Sequence, residues 1–288
     1  MTTTLRPVTP LIDEADGTRS RRYDICVNGR SVGRVEIAAQ PPPGPRTGVV
    51  RSLHVDEVDR RRGRGTVAAL AAEEVLRGWG CDRIQVWVPS DAAAATRLVA
   101  ALGYAERGRS MVKDLRSDDG GAPPALAPGL RARPMTEAEI RQWRPVAVAS
   151  HARILTEHDG FAPADALARS EAAHESLLAE PGLVLDVLEA DGEAGAAGDT
   201  GVVGHLLLGR REVLPDRDGA YVYDVEVAAD RRGRGYGRAL MLHAEHVARA
   251  AGASALGLYV HVDNAPARAL YTSLGCQSTV VRWAKQLW

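Results

Sequence analysis

The run Val227-Ala-Ala-Asp-Arg-Arg-Gly-Arg-Gly-Tyr-Gly-Arg-Ala-Leu240 sets a glycine-rich turn between a β-branched stretch and an amphipathic one. A turn that opens a helix in this way collects anions. The first four helix amides have no acceptor within the helix, and the aligned peptide dipoles add about half a positive charge at that end. Gly233, Gly235 and Gly237 let a ligand approach the backbone, and Arg232, Arg234 and Arg238 can add charge-assisted contacts. A diphosphate fits such a cap. The glycine spacing is not that of a dinucleotide fold, and no acidic residue is placed for a ribose. Nor does a Gly-Lys-Ser/Thr follow to hold nucleoside phosphates and magnesium. Read blandly, the run is a solvated arginine turn, but its setting between strand and helix and a second motif downstream argue for a site.

That second motif is Asn264-Ala-Pro-Ala-Arg-Ala-Leu-Tyr-Thr-Ser-Leu-Gly275. In order and spacing, Arg232, Gly235 and Gly237 followed by this segment resemble the R-x-x-G-x-G/A and N-x-x-A-x-x-L-Y-x-x-x-G motifs of the GNAT superfamily of acetyltransferases. Cys276 stands where an aromatic is usual. The resemblance covers the second half of the chain. It implies an acetyl-CoA-dependent N-acetyltransferase that moves an acetyl group to a primary amine by direct attack in a ternary complex, with acetyl-CoA as co-substrate and no metal. It further implies that the chain of Val225 and Val227 pairs with the pantetheine arm like an added strand. The amides of Gly233, Arg234, Gly235, Tyr236, Gly237 and Arg238 would take the diphosphate, while Asn264, Ala267 and Arg268 line the rest of the arm.

An amine attacking a thioester must be neutral, needs a donor for the developing oxyanion and must expel a thiolate. By the family pattern the Val227 amide is the oxyanion donor and Tyr271 stands by the sulfur. A phenol of pKa near 10 passing its proton to a thiolate near 8.5 goes uphill by roughly 2 kcal/mol, so a hydrogen bond to the sulfur is the safer description. For the base no lysine is at hand, since only Lys113 and Lys285 occur, and no histidine lies on the central strand. Tyr221, Tyr223, Asp224 and Glu226 do lie there. Alternation puts the two tyrosines on one face and the two carboxylates on the other, unless a local bulge reverses it. Tyr223 acting through water is the first candidate and Glu226 the second. His151, Glu157, His158, Asp159 and Phe161 cluster where the family builds its acceptor pocket, although an ordinary polar loop looks the same.

Short β-branched or apolar runs bounded by turn residues predict strands at Leu183 to Leu188, Val202 to Leu208, Tyr221 to Val227, Ala255 to Val262 and Val280 to Leu287. Helices are predicted from Gly235 to Ala251 and from Pro266 to Ser273, preceded by Thr136 to Leu155, which Pro145 should kink or break, and Pro163 to Ala179. The order is ααβββαβαβ. A similar series precedes it, with strands at Tyr23 to Val27, Ser31 to Ala38, Val49 to Val55 and Arg83 to Val88 and helices after Gly65 and Asp91, but without the two early helices.

Matching Arg62-Gly-Arg-Gly-Thr-Val67 to Arg232-Gly-Arg-Gly-Tyr-Gly237 makes the chain one unit used twice. In that register the first copy ends in Val and its loop is two residues longer. Counting from the glycine turn, the place of Tyr271 is Ala101 and that of Asn264 is Ala94, whereas counting back from Leu102-Gly103 gives Val99 and Ala92. The first half is expected to be inactive. The fold class is α+β, with two GNAT-type domains, each a mixed, mostly antiparallel splayed sheet flanked by helices. The domains are a degenerate one at 1–115, a Gly/Pro-rich linker at 116–129 and an active one at 130–288. Fusion of a degenerate and an intact unit is also similar to the arrangement of mycothiol synthases, which acetylate a cysteinyl amine. A non-catalytic acyl-CoA sensor or scaffold is the reading from another class, and Tyr271 argues against it.

Composition narrows the partners. A net charge of −1 over 288 residues provides no global field for nucleic acid or an anionic membrane, and the basic runs lack interleaved aromatics. Cys26, Cys81 and Cys276 form neither a disulfide framework nor a zinc pattern, which suits a reducing compartment. With no apolar run of about 18 residues and no signal-like start, the expectation is a cytoplasmic protein, a monomer or homodimer, acting on a small-molecule or peptide amine.

Overall fold

The computed structural model describes residues 3–41, 44–116, 126–193, 201–215 and 217–287. The chain forms two compact units that do not follow the order of the sequence. One comprises Met1–Gly108, His151–Ala168 and Val280–Trp288, and the other Arg109–Ser150 and Arg169–Thr279.

In the first unit, strands β1 (Thr3–Pro7), β3 (Arg19–Val27), β4 (Arg30–Ala39), β5 (Thr47–Val55) and β6 (Arg83–Pro89) lie side by side, and the two-residue β2 (Ile12–Asp13) pairs with β3. The strand beside β6 is β13 (Gln277–Gln286), antiparallel from Val280 opposite Pro89 to Gln286 opposite Arg83. Helices α1 (Arg64–Gly78) and α2 (Ala93–Ala101) accompany this sheet. Ile25, Ile37, Leu76 and Ile84 are fully buried at the centre of the core.

In the second unit the strand order is β7 (Ala105–Asp114), β12 (Ala255–His261), β11 (Gly219–Val227), β10 (Val202–Arg210), β9 (Val184–Ala190) and β8 (Leu130–Pro134). Helix α5 (Tyr236–Ala250) covers one face through Leu240, Met241 and Ala244, all fully buried with Leu206 and Leu256. A smaller cluster of Trp143, Ala147 and Leu207 gathers Tyr223 and Leu177 from helices α3 (Glu137–Asp159), α4 (Pro163–Leu178) and the strands. Helix α6 (Ala265–Ser273) follows β12.

Helix α3 runs through Pro145 without the break that was one of the two outcomes expected there. Burial of Trp143, Ala147 and Val148 on either side offsets the cost of about 3 kcal/mol that an interior proline carries. The predicted order also lacked β8 and β7. The body of the expected linker, 117–125, lies outside the described residues, but Leu126 packs against the second core. Among the described residues no helix is long and apolar enough to cross a membrane.

Parallel pairing brings β11 and β12 together only from Gly219 opposite Ala255 to Val222 opposite Leu258, and beyond Val222 the two strands part. In the first unit β5 and β6 pair from Thr47 opposite Arg83 to Val50 opposite Val86 and then part in the same way. This splay opens a wedge between two parallel strands at the end where the glycine turn follows β11.

Candidate active site

Three elements meet at the splay of the second unit. Val225 and Val227 of β11, the turn from Arg232 to Arg238, and Pro266, Ala267, Leu270 and Tyr271 of α6 line a cleft of about 420 Å³. Gly233 and Gly235 have φ of 80° and 87°, the left-handed region that only glycine enters without strain. Gly235 is the N-cap of α5 and, among the described residues, no side chain caps the helix there, while the first helical bond runs from the Ala239 amide to the Gly235 carbonyl. The amides of Tyr236, Gly237 and Arg238 thus have no acceptor inside the helix, an arrangement that favours an anion at that end. A Cβ on Gly237 would come within 3.4 Å of Leu270, so this glycine sets how closely α5 and α6 approach.

The arginines are individually held. Arg232 donates from Nε to the Val227 carbonyl at 3.1 Å and from Nη2 to Glu226 at 3.3 Å. Arg238 donates to the Ser273 hydroxyl at 2.6 Å. Glu193, which the sequence reading did not single out, accepts from Arg231, from Arg234 at 2.5 Å and from the Tyr236 hydroxyl at 2.8 Å. The Tyr236 hydroxyl and then Arg234 hold its carboxyl below the usual range. No motif marks Glu193, because its contacts are made by the fold.

Tyr271 lines the cleft and is only 7% exposed. Burial first, then the neighbouring Cys276 and Asp224, push its phenol up to about 12. Asn264 caps α6, its Oδ1 accepting from the Ala267 amide at 3.2 Å. Ala267 is in the cleft lining, and Arg268 follows on the same helix.

The register of β11 against β10 skips Tyr223, with Leu207 opposite Asp224 and Leu208 opposite Val222. Ala220 and Val222 belong to the core under α5, and so, after the skip, do Val225 and Val227. Simple alternation therefore fails. The bulge puts Tyr223 and Asp224 on one face together, and Tyr221, Tyr223, Asp224 and Glu226 all turn away from α5. The rings of Tyr221 and Tyr223 meet edge to face at 5.1 Å, and the Arg211 guanidinium lies 4.6 Å over Tyr221. Burial, and then Glu180, raise the Tyr223 hydroxyl. On this face Asp224 also meets His205 of β10, 2.8 Å from carboxylate to Nε2. The pattern of β11 alone does not reveal this contact, because His205 lies on the neighbouring strand.

Residues 3–104 and 152–276 match the model of the Acetyltransferase (GNAT) family. The chain belongs to that family. A mycothiol acetyltransferase of Saccharomonospora viridis is 32% identical to this GNAT protein over 98% of the chain and 89% of the relative. One of Clavibacter michiganensis subsp. michiganensis is 29% identical over 85% and 72%. Among solved structures, a tandem GNAT protein from the clavulanic acid biosynthesis pathway shares the fold with a TM-score of 0.52, at 21% identity over 94% of this chain and 84% of that one.

The two GNAT units correspond residue by residue, in a register that differs from the one predicted for the first. Helix α1 begins after Gly63, φ 73°, as α5 begins after Gly235. Arg60 donates from Nε to the Val55 carbonyl at 2.9 Å, as Arg232 does to Val227. The counterpart of Arg232 is therefore Arg60 and the loops are equal in length. The first unit keeps a whole R-x-x-G-x-G in Arg60, Gly63 and Gly65, and Arg61, φ 57°, bears the strain that Gly233 avoids. From there to β7 and β13 the two halves stay in one constant offset, with Ala92 at the place of Asn264 and Val99 at that of Tyr271. The bulge is kept too, at Arg51, with Arg34 and Ser52 where the second unit has His205 and Asp224.

Of the expected acceptor cluster, all five residues fall in the first unit. Asp159 pairs with Arg282 at 2.8 Å and Phe161 packs with Ala152, Leu155 and Ala166.

Proposed function

We propose that the second unit transfers the acetyl group of acetyl-CoA to a primary amine by direct attack in a ternary complex. The cleft at the β11–β12 splay carries the reading: it joins a strand edge, uncapped helix amides and a phenol in one wedge. In this reading Val225 and Val227 offer backbone to the pantetheine arm. The amides from Gly233 to Arg238 take the diphosphate, with Arg232, Arg234 and Arg238 beside them. Asn264 orders the start of α6, so that Ala267 and Arg268 flank the arm. The Val227 amide meets the developing oxyanion.

Tyr271 hydrogen-bonds the departing sulfur. With its phenol near 12, full proton transfer to a thiolate near 8.5 is uphill by about 5 kcal/mol, so the phenol stays a donor. Thiol release from acetyl-CoA across a panel of amines tests this. The Tyr271→Phe variant is expected to keep cofactor affinity and lose about 10²-fold or more in turnover. Turnover unchanged in the variant removes Tyr271 from the mechanism. Tight cofactor binding without release on any amine turns the unit into an acyl-CoA sensor. A cysteinyl amine belongs in the panel as the second reading, supported by the 32% identity to a mycothiol acetyltransferase over nearly the whole chain.

A further inference from the structure

The transfer needs a neutral amine, and neither base expected on β11 is well placed for making one. The Tyr223 hydroxyl is pushed up by burial and Glu180, which leaves it a poor proton acceptor, and Glu226 is drawn to Arg232. The bulge brings a different group forward. Asp224 is the second residue past the last β11–β12 pair, its side chain is 39% exposed, and its charge reaches the Tyr271 phenol.

Behind Asp224 lies an unusual contact. His205 Nε2 is 2.8 Å from the Asp224 carboxylate and 3.1 Å from the indole Nε1 of Trp143, which is buried. An indole N–H can only donate, and a carboxylate can only accept. One imidazole nitrogen cannot offer a lone pair to Trp143 and a proton to Asp224 at once. When Nε2 accepts from Trp143, the carboxylate faces a lone pair unless a proton enters between them. An added proton joins the imidazole and the carboxylate, at the expense of the Trp143 bond, because Nε2 has one position with which to donate or accept.

The first unit serves as an internal comparison. It has the same fold and bulge, yet Ser52 and Arg34 stand for Asp224 and His205, and Val99 for Tyr271. Where the phenol is gone, the carboxylate and imidazole are gone with it.

We propose that the Asp224–His205 pair, with Trp143 as its positioning residue, is the proton acceptor for the substrate ammonium. This rests on the transferase reading above. The ammonium N–H bond breaks and its proton joins the pair, which goes from one negative charge to none as the amine becomes neutral. The amine lone pair then forms the C–N bond as the C–S bond breaks. A second nitrogen proton ends on the departing sulfur, and the pair returns its proton to water. The other titratable or charged groups facing the pair are Tyr221, Tyr223 and Glu226 on β11, Tyr271 on α6, His174 on α4 beyond Trp143, and Arg211 and Glu180 about the tyrosines.

The test is the pH profile of kcat/KM for an amine that the wild type acetylates, together with a ring-nitrogen NMR titration of His205 in the unliganded protein. Asp224→Asn is expected to lose about 10²-fold or more in kcat and to flatten the ascending limb, with the KM for acetyl-CoA unchanged. His205→Gln is expected to move the limb to lower pH, and Asp224→Glu to restore part of the rate. Wild-type turnover with unaltered limbs in both variants overturns the pair and leaves the transferase intact. Absence of turnover in the wild type counts against the transferase reading and removes the base role with it. A His205 ring whose NMR titration is indifferent to Asp224→Asn overturns the coupling whatever the turnover.

Discussion

Tyr271 is the residue on which the reading turns, and its environment dictates how it should respond to pH. The proposed transfer requires the phenol protonated, and burial raises its pKa to about 12. The protonated form therefore persists at every lower pH and is lost only as pH rises through that value. The expected outcome is a kcat profile with no decline centred near 10, where an exposed tyrosine ionises, measured up to the limit at which the fold survives. A fall centred near 10 would mean that the phenol is solvated in the working state. Glu193 shows the opposite pull: the Tyr236 hydroxyl and Arg234 keep its carboxyl charged, so it holds the glycine turn in place through these bonds.

At the scale of elements, the glycine turn is built from backbone conformation more than from charge. Gly235→Ala places a Cβ at φ 87°, at a cost of about 1–2 kcal/mol, although none of the described residues stands within 4 Å of that Cβ. The variant is expected to melt at lower temperature and to bind acetyl-CoA more weakly, read by thermal denaturation and by cofactor titration. The same turn shows what a sequence can and cannot tell. In the second half the glycines mark the left-handed positions, so strand, turn and helix were legible there almost to their ends. In the first half Arg61 occupies a left-handed position that sequence rules reserve for glycine, and the motif was read two residues late. The bulge at Tyr223 was invisible for a related reason. Alternation is a local pattern, whereas a bulge is fixed by the strand opposite. The Asp224–His205 contact was therefore beyond reach, because it depends on that register and on a residue of another strand. That α3 does not break at Pro145 was not legible either, since propensity could not weigh the packing of Trp143 and Ala147.

At the scale of the whole molecule, each unit takes a strand from the other half of the sequence. The second contains Arg109–Asp114 of β7, and the first contains Val280–Gln286 of β13. The chain's two lysines sit at matching places on these strands. Lys113 donates to Glu245 of α5 at 2.7 Å and Lys285 to Glu73 of α1 at 2.8 Å, with both carboxylates buried. Removing one partner of a buried pair leaves a charge without compensation. Lys113→Ala and Lys285→Ala are each expected to destabilise the protein by about 3 kcal/mol, and Lys113→Met with Glu245→Leu by less than Lys113→Ala alone, all measurable by urea unfolding. The duplication could be read in the sequence but the exchange could not, because β7 and β13 follow their own halves in order and only long-range pairing reveals where they go. That exchange bears on biosynthesis. A growing polypeptide that has left the ribosome as far as Pro89 has β5 on one side of β6 but not yet β13 on the other, and must wait for Gln277–Gln286 before its opening unit can close. Folding from the front end, the usual course for tandem domains, is thereby blocked, and arrested nascent chains ending before Gln277 should stay protease-sensitive in residues 3–108.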